Sequence, residues 1–252
     1  MPIKIIKKSF EYSTYNIFFF IFVLILMFLC QILSDIVDSV LVGFSLMSLI
    51  MMGYGLQVTR DVINGGVRLP KIMPFQTLIF GVKGSIISLF YYFIQTFLLF
   101  LISVNLNFPD SFNIKEFFLN YSKTMYLFRH HDPVSFTIFV LSSIIVVYIT
   151  VFFMEIALGS LADDGKLENS FNFRKIKRVI DIIGWRSYII DYTKIILSII
   201  ILTFLLNHPV LRFEILDNLL DAVFFFLIFI VQYIGIGQIF SQYKEKKSKI
   251  EE

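Results

Sequence analysis

Three ionisable residues lie inside or at the end of apolar segments long enough to cross a lipid bilayer. Glu155 follows the segment 134–154, and Asp191 and Lys194 lie within 187–206. Charged side chains are costly in lipid, so such residues pair with one another or line a substrate path. Asp191 and Lys194 are three residues apart and can pair on one helix face, and Glu155 could reach Lys194 from a neighbouring helix. The sequence predicts an intramembrane polar site here, either a structural ion pair or part of a transport or catalytic path.

The run from Arg129 through His130 and His131 to Asp132 is the only cluster of residues that resembles a metal site. Adjacent histidines point to different faces of a helix, and no third ligand is spaced to join them. The sequence also has no phosphate-binding glycine loop, no H-E-x-x-H helix and no G-x-S-x-G turn. We therefore predict no metal and no cofactor. An intramembrane hydrolase using His130 or His131 is a third functional hypothesis, without a motif to support it.

The elements that must position these residues are membrane-spanning helices. The chain has 252 residues, of which 57% are hydrophobic and 16% charged, with a mean hydropathy of +0.80. Outer-membrane strands would alternate apolar and polar residues, whereas 17–30 is apolar without a break. The sequence predicts an all-α integral membrane bundle that forms one domain over residues 1–252. The six predicted spans, each close to the length of a bilayer crossing, are 17–33, 40–58, 85–104, 134–154, 187–206 and 222–240.

Small and amide side chains inside the spans predict how the helices pack. We expect the small residues to let helices approach closely, and the amides to form hydrogen bonds between helices. The glycines are Gly43, Gly53, Gly55, Gly235 and Gly237, and the amides are Gln95, Gln232 and Gln238.

The distribution of Lys and Arg predicts the orientation. With both termini on one side, the connections on that side carry seventeen Lys and Arg residues and the opposite connections carry four. Positively charged connections stay in the cytoplasm. The sequence predicts a cell-membrane protein with both termini cytoplasmic. Its net charge of +3 would face anionic lipid headgroups and not nucleic acid.

Two predicted cytoplasmic connections resemble each other. Asn64-Gly65 in the first matches Asp164-Gly165 in the second, and the chain enters the next spans through Gly81-Val82-Lys83-Gly84 and Gly184-Trp185-Arg186-Ser187. The glycines are 100 and 103 residues apart. Glycine after Asn or Asp can close the last turn of a helix in a left-handed conformation. The similarity predicts either a parallel internal repeat or a chance match of short motifs.

The second cytoplasmic connection contains a predicted amphipathic helix over residues 173–183. Its apolar positions are Phe173, Ile176, Val179, Ile180 and Ile183, and its basic positions are Arg174, Lys175, Lys177 and Arg178. Such a helix is expected to lie in the membrane interface. The basic residues predict contact with anionic lipid or a partner protein. Alternatively, the helix is a connector whose charges reach toward water.

A second surface helix is predicted in the outer connection 105–132. Its apolar positions recur at helical spacing between Ile114 and Phe128, and Asn113 with Glu116 resembles a capping box. We expect it to lie on the outer face or to cap the bundle.

Several short motifs resemble an uncharacterised family of archaeal multi-pass membrane proteins, a domain of unknown function. These motifs are Gly53-Tyr54, Arg60, Asn64-Gly65, Leu69-Pro70, Gly81-Val82-Lys83-Gly84, Glu155-Ile156-Ala157, Asp164-Gly165 and Ser170-Phe171-Asn172-Phe173. The resemblance covers most of the chain, but residues 71–75 depart from the acidic and aromatic stretch that the family has after Leu-Pro. It implies an archaeal cytoplasmic membrane and no assigned activity or catalytic residue.

These observations predict a non-enzymatic membrane component that binds lipid or a partner protein through its two cytoplasmic connections. The alternative is a small permease or export component, with a polar path near Glu155, Asp191 and Lys194.

Overall fold

The computed structural model describes residues 2–15, 17, 21, 25, 40–106, 132–206 and 217–251. Within these residues the regular elements are all helices, which confirms the predicted all-α class. The helices are α1 (Pro2–Thr14), α2 (Val40–Ile63), α3 (Pro74–Asn105), α4 (Pro133–Asp164), α5 (Leu167–Phe171), α6 (Phe173–Ile183), α7 (Trp185–Leu206) and α8 (Asp217–Glu251).

Four of these helices, α3, α4, α7 and α8, are long and apolar enough to cross a membrane. They coincide with four of the six predicted spans, and they are the helices of a membrane protein. In the most apolar 18 residues of α3 and of α4 only 17% of the positions are buried, against 56% in α8. The many exposed apolar side chains of α3 and α4 are suited to lipid contact, whereas α8 is largely covered by protein.

The other two predicted spans remain predictions. The span 40–58 lies in α2, a helix of 24 residues that is not among the four. The span 17–33 lies almost wholly outside the described residues, as does the predicted outer helix between Ile114 and Phe128.

Three helices extend well beyond their predicted spans at the ends that carry charged residues. Helix α3 begins at Pro74 instead of residue 85, α4 ends at Asp164 instead of 154, and α8 ends at Glu251 instead of 240. Hydropathy marks the part of a helix that suits lipid, but backbone hydrogen bonding continues through polar residues such as Lys and Glu, which are good helix formers.

The chain divides into two compact units. One comprises Met1–Ile87 with Glu155–Glu252, and the other comprises Ser88–Met154. In the second unit, Tyr91 and Phe139 are buried, and the rings of Tyr148 and Phe152 stack with centroids 6.4 Å apart. The unit is otherwise rich in exposed apolar side chains. The polar residues of interest lie in the first unit.

Helix α8 is central to the first unit, where it contacts α1, α2, α6 and α7. Glycines allow these close approaches, as predicted. A Cβ atom at Gly55 would meet the ring of Tyr233, one at Gly237 would lie 2.7 Å from the Cβ of Val62, and one at Gly235 would meet Ile195. Thr59 Oγ1 donates a 2.9 Å hydrogen bond to the carbonyl oxygen of Tyr233, which further joins α2 to α8.

Gly65 and Gly165 close the two corners that the sequence singled out. Both have positive φ, 82° at Gly65 and 70° at Gly165, and each follows the end of a helix directly after its Asn or Asp. Their backbone N–H groups donate to Val62 and Leu161, respectively. The predicted left-handed closure is confirmed at both corners. The internal repeat itself stays a prediction.

Candidate functional site

The two predicted cytoplasmic connections meet at one end of the first unit. Lys83 Nζ in α3 donates a 2.7 Å hydrogen bond to the carbonyl oxygen of Gly165. Lys244 Nζ in α8 lies 2.6 Å from Asp163 Oδ1 in α4. Lys246 Nζ, two residues nearer the end of α8, donates a 2.5 Å hydrogen bond to the carbonyl oxygen of Ile183. We call this end, where α2, α4 and α8 finish and α3 and α7 begin, the basic end.

Helix α6 lies at the basic end with the bounds that the sequence predicts. Asn172 caps it, because its side-chain oxygen accepts a 3.1 Å hydrogen bond from Lys175 N, and Gly184 N–H donates to Ile180 O at the other end. Its apolar face is not free to enter the membrane interface, however. Ile176, Val179, Ile180 and Ile183 are each at most 1% exposed, and the helix contacts α7 and α8. Protein therefore covers this face, and the expected position of the helix in the membrane interface stays a prediction.

The four basic residues of α6 fall into two groups. Lys175 Nζ lies 2.8 Å from Asp164 Oδ2, and Asp164 Oδ1 also accepts a 2.8 Å hydrogen bond from Lys166 N. Lys175 therefore ties α6 to the end of α4. Arg174, Lys177 and Arg178 are exposed, and no acid in the described part of the chain forms an ion pair with them. We call these three residues the α6 basic surface.

Asp191 and Lys194 form the predicted ion pair. Lys194 Nζ lies 2.6 Å from Asp191 Oδ1, across one turn of α7. Asp191 Oδ2 accepts a second hydrogen bond, 3.0 Å long, from Gln242 Nε2 of α8. The carboxylate therefore has a donor on each oxygen, and the pair is tied to the central helix.

Glu155 does not join this pair, so the predicted contact with Lys194 was wrong. Its side chain is 3% exposed, and its Oε2 atom has no hydrogen-bond partner among the described residues. Gln57 in α2 is also buried, and neither of its amide atoms has a described partner. Lys194 instead pairs with Asp191, because residues three positions apart are neighbours on the surface of one helix.

A cleft of about 250 Å³ opens beside the Asp191–Lys194 pair. Its walls come from α1, α7 and α8, and Glu155 is not part of it. The lining residues are Ile5, Lys8, Asp191, Lys194, Ile195, Gly235, Gln238, Ile239 and Gln242. Gln238, predicted as an interhelical hydrogen-bond partner, has a buried Nε2 atom without a partner in the described part of the chain. The cleft thus combines two cationic side chains, one paired acid and one unmatched amide donor.

Helix α1 supplies one wall of the cleft and is tethered to α2. The hydroxyl of Tyr12 donates a 2.7 Å hydrogen bond to Asp61 Oδ2. The pKa of Tyr12 is raised above its ordinary value, mainly because the phenol is buried and also because it contacts the Asp61 carboxylate. Ser9 and Ser13, on the same side of α1, are fully buried. The neutral phenol therefore anchors α1 across the basic end.

Sequence reasoning did not predict Lys8, Gln242 or the cleft itself. Lys8 was counted as a charge of a cytoplasmic segment, although Ile5, Ser9, Tyr12 and Ser13 recur at the spacing of one helix face. That periodicity was the available signal for an amphipathic N-terminal helix. The contact of α1 with α7 and α8 carried no local signal.

The described residues contain no group of three or more His, Cys, Asp and Glu side chains that could hold a metal ion. Of the predicted cluster 129–132, only Asp132 is described; His130 and His131 lie outside the described residues. Asp132 Oδ1 accepts hydrogen bonds from Val134 N and Ser135 N, so it caps the start of α4. The cationic side chains of the cleft and of the α6 basic surface are instead suited to binding an anion at the basic end.

Comparisons with known proteins report a family but no activity. No curated protein and no solved structure matches the chain. A family model described as "Protein of unknown function (DUF4013)" matches residues 39–211, about two thirds of the chain. The matched region includes the corners at Gly65 and Gly165, helix α6 and the Asp191–Lys194 pair. The chain belongs to the DUF4013 family.

Proposed function

We propose that the protein is a non-enzymatic component of the cell membrane that binds anionic lipid at its basic end, with a protein partner as the alternative client of the same surface. The α6 basic surface carries this proposal. Its three cations sit on a helix that is capped by Asn172, tied by Lys175 to Asp164, and packed through its apolar face against α7 and α8. Because the helix backbone is held in place, binding has to order only the side chains of these residues, which favours a defined contact with anionic groups.

The orientation and location belong to the same proposal. Seventeen of the Lys and Arg residues fall on the side of the basic end, which supports a cytoplasmic position for this end and for both termini. The resemblance to archaeal membrane proteins supports the cytoplasmic membrane of an archaeon as the location. Anionic lipid headgroups would face the basic end there.

Gentle purification from the native membrane, followed by mass spectrometry of the companions, tests the proposal. We expect a specific lipid or a stoichiometric protein to co-purify with the wild type. The variant Arg174→Gln with Arg178→Gln should lose it, while Lys175 and its bond to Asp164 stay intact. The matched control, Lys247→Gln with Lys249→Gln, removes the same charge from exposed residues of α8 that pair with Glu251 and Glu245. Equal loss in both variants would contradict a defined contact on α6.

A small permease or export component is the second candidate, and the cleft beside Lys194 is the observation that favours it. A path through the first unit would use Asp191 and Lys194 as its polar lining. Replacing both with Leu would then abolish flux in vesicles without loss of folded protein. Unchanged flux with equal or higher stability would identify the pair as structural.

A further inference from the structure

We propose that the cleft between α1, α7 and α8 binds the phosphate headgroup of an anionic membrane lipid. This inference rests on the function proposed above and names a specific site for it, separate from the α6 basic surface. Its residues come from three helices, two of which begin or end at the basic end and one of which lies across it.

The charge of the cleft favours an anion. Asp191 is its only acidic lining residue, and both of its oxygens already accept hydrogen bonds, from Lys194 and Gln242. Within the described part of the chain, Lys8 has no ion-pair partner. The lining therefore carries one positive charge in excess, and an ammonium group with three donors is available to a ligand.

The hydrogen-bonding groups of the cleft favour an oxyanion. Gln238 Nε2 is buried in the lining and has no acceptor among the described residues. A buried donor without an acceptor is destabilising, and a rotation of the Gln238 side chain into the cleft would let a ligand oxygen remove that cost. A phosphate group presents several acceptor oxygens and can bind the ammonium of Lys8 and the amide of Gln238 together.

The depth of the cleft favours a lipid over a soluble ion. Its α8 residues run from Gly235 to Gln242, across the point where the apolar part of the helix gives way to Ser241 and the charged residues that follow. Its α7 residues, Asp191, Lys194 and Ile195, lie six, nine and ten positions after Trp185, about 9 to 15 Å along the helix. In a membrane-spanning arrangement of α7 and α8, the change from apolar to charged residues would lie at the boundary between acyl chains and headgroups. A volume of about 250 Å³ suits a headgroup, and Ile5, Ile195 and Ile239 offer apolar contacts to the glycerol and first acyl carbons.

Native mass spectrometry of the full-length protein, titrated with defined lipids, tests the site. Phosphatidylglycerol is the anionic probe, phosphatidylcholine carries the same phosphate without net charge, and inorganic phosphate represents a soluble source. We expect phosphatidylglycerol to bind more tightly than either. Lys8→Gln should weaken this binding by at least about tenfold, since it removes a charged hydrogen-bond donor. The matched control is Lys7→Gln, an exposed neighbour that pairs with Glu11 and does not line the cleft. It should change the affinity by less than about twofold.

Three results would overturn the site. Equal weakening by Lys8→Gln and Lys7→Gln would indicate general surface attraction. Inorganic phosphate bound as tightly as the lipid would assign the cleft to a soluble anion. Binding lost in the Arg174→Gln and Arg178→Gln variant but unchanged in Lys8→Gln would place the lipid on α6, which leaves the proposed function standing. Absence of any anionic-lipid preference in the wild type would instead refute lipid binding as the function.

Discussion

The ammonium group of Lys83 donates a 2.7 Å hydrogen bond to the backbone carbonyl oxygen of Gly165. Lys83 lies near the start of α3, and Gly165 closes the corner after α4 in a left-handed conformation with φ of 70°. The bond therefore joins the two connections that look alike in the sequence. It gives the basic end a fixed arrangement of backbone on which α5 and α6 are built.

Replacing Lys83 should weaken the contact between the two connections and so destabilise the fold. Lys83→Met keeps the apolar stem and removes the donor, so we expect the free energy of unfolding to fall by about 1.5–3 kcal/mol, the range for a hydrogen bond from a charged group. Thermal unfolding in detergent measures the change. Lys71→Met, at an exposed lysine of the same connection, serves as the control and should shift stability by less than about 0.5 kcal/mol. Equal effects of the two substitutions would show that the bond to Gly165 contributes nothing.

Close packing of α2 against α3 depends on two glycines, each of which lies against the backbone of the other helix. A Cβ atom at Gly53 would overlap the carbonyl oxygen of Thr77, and one at Gly81 would overlap that of Leu49. Backbone atoms cannot move aside cheaply, so Gly53→Ala and Gly81→Ala should each cost about 2 kcal/mol or more. The control is Gly84→Ala, where the new atom would lie 2.8 Å from the side-chain ends of Leu56 and Met52. Melting temperatures should fall clearly less in that variant, since these side chains can rotate.

Local sequence signals predicted the bounds of α6, whereas α1 was not predicted although one of its faces recurs at helical spacing. Helix α6 has a capping Asn172, a regular apolar spacing and Gly184 after its last turn, and all of these act within the helix itself. Its burial was missed because the covering helices, α7 and α8, lie elsewhere in the chain and a single helix face does not distinguish lipid from protein. One face of helix α1 contains both apolar and polar side chains, such as Ile5, Ser9 and Tyr12, so its mean hydropathy does not identify it as a packing surface.

The site was half predictable for a similar reason. Asp191 and Lys194 are neighbours on one helix, so their spacing determined their pairing. The cleft requires Lys8 and Gln242, which are separated from that pair by many residues, and their approach depends on the packing of three helices. Glu155 was expected to reach Lys194 because it lies near the same end of a neighbouring span, but in the structure Lys194 pairs with Asp191.

The Asp191–Lys194 pair should tolerate joint replacement better than single replacement. Lys194→Leu alone leaves the partly buried Asp191 with only its Gln242 donor, and we expect a loss of about 1–2 kcal/mol. In the double variant, Asp191→Leu with Lys194→Leu, both charges are removed and most of that stability should return. Melting temperatures of the two variants test this difference. A double variant as unstable as the single one would mean that the pair makes a net contribution of its own.

The anchor of α1 through Tyr12 should depend on pH. The raised pKa of Tyr12 means that the folded protein favours the neutral phenol, so the contribution of this residue is complete below the ordinary tyrosine pKa of about 10 and falls as pH rises above it. At pH 7 the wild type should be more stable than Tyr12→Phe by about 1–2 kcal/mol, because Phe cannot donate to Asp61. Above pH 10 the advantage should shrink and then reverse, since Phe carries no group that must ionise. Melting temperatures of both proteins between pH 7 and 11 provide the comparison, in which all other titrating groups are shared. A constant difference over this range would show that the Tyr12 hydroxyl is not held neutral by its site.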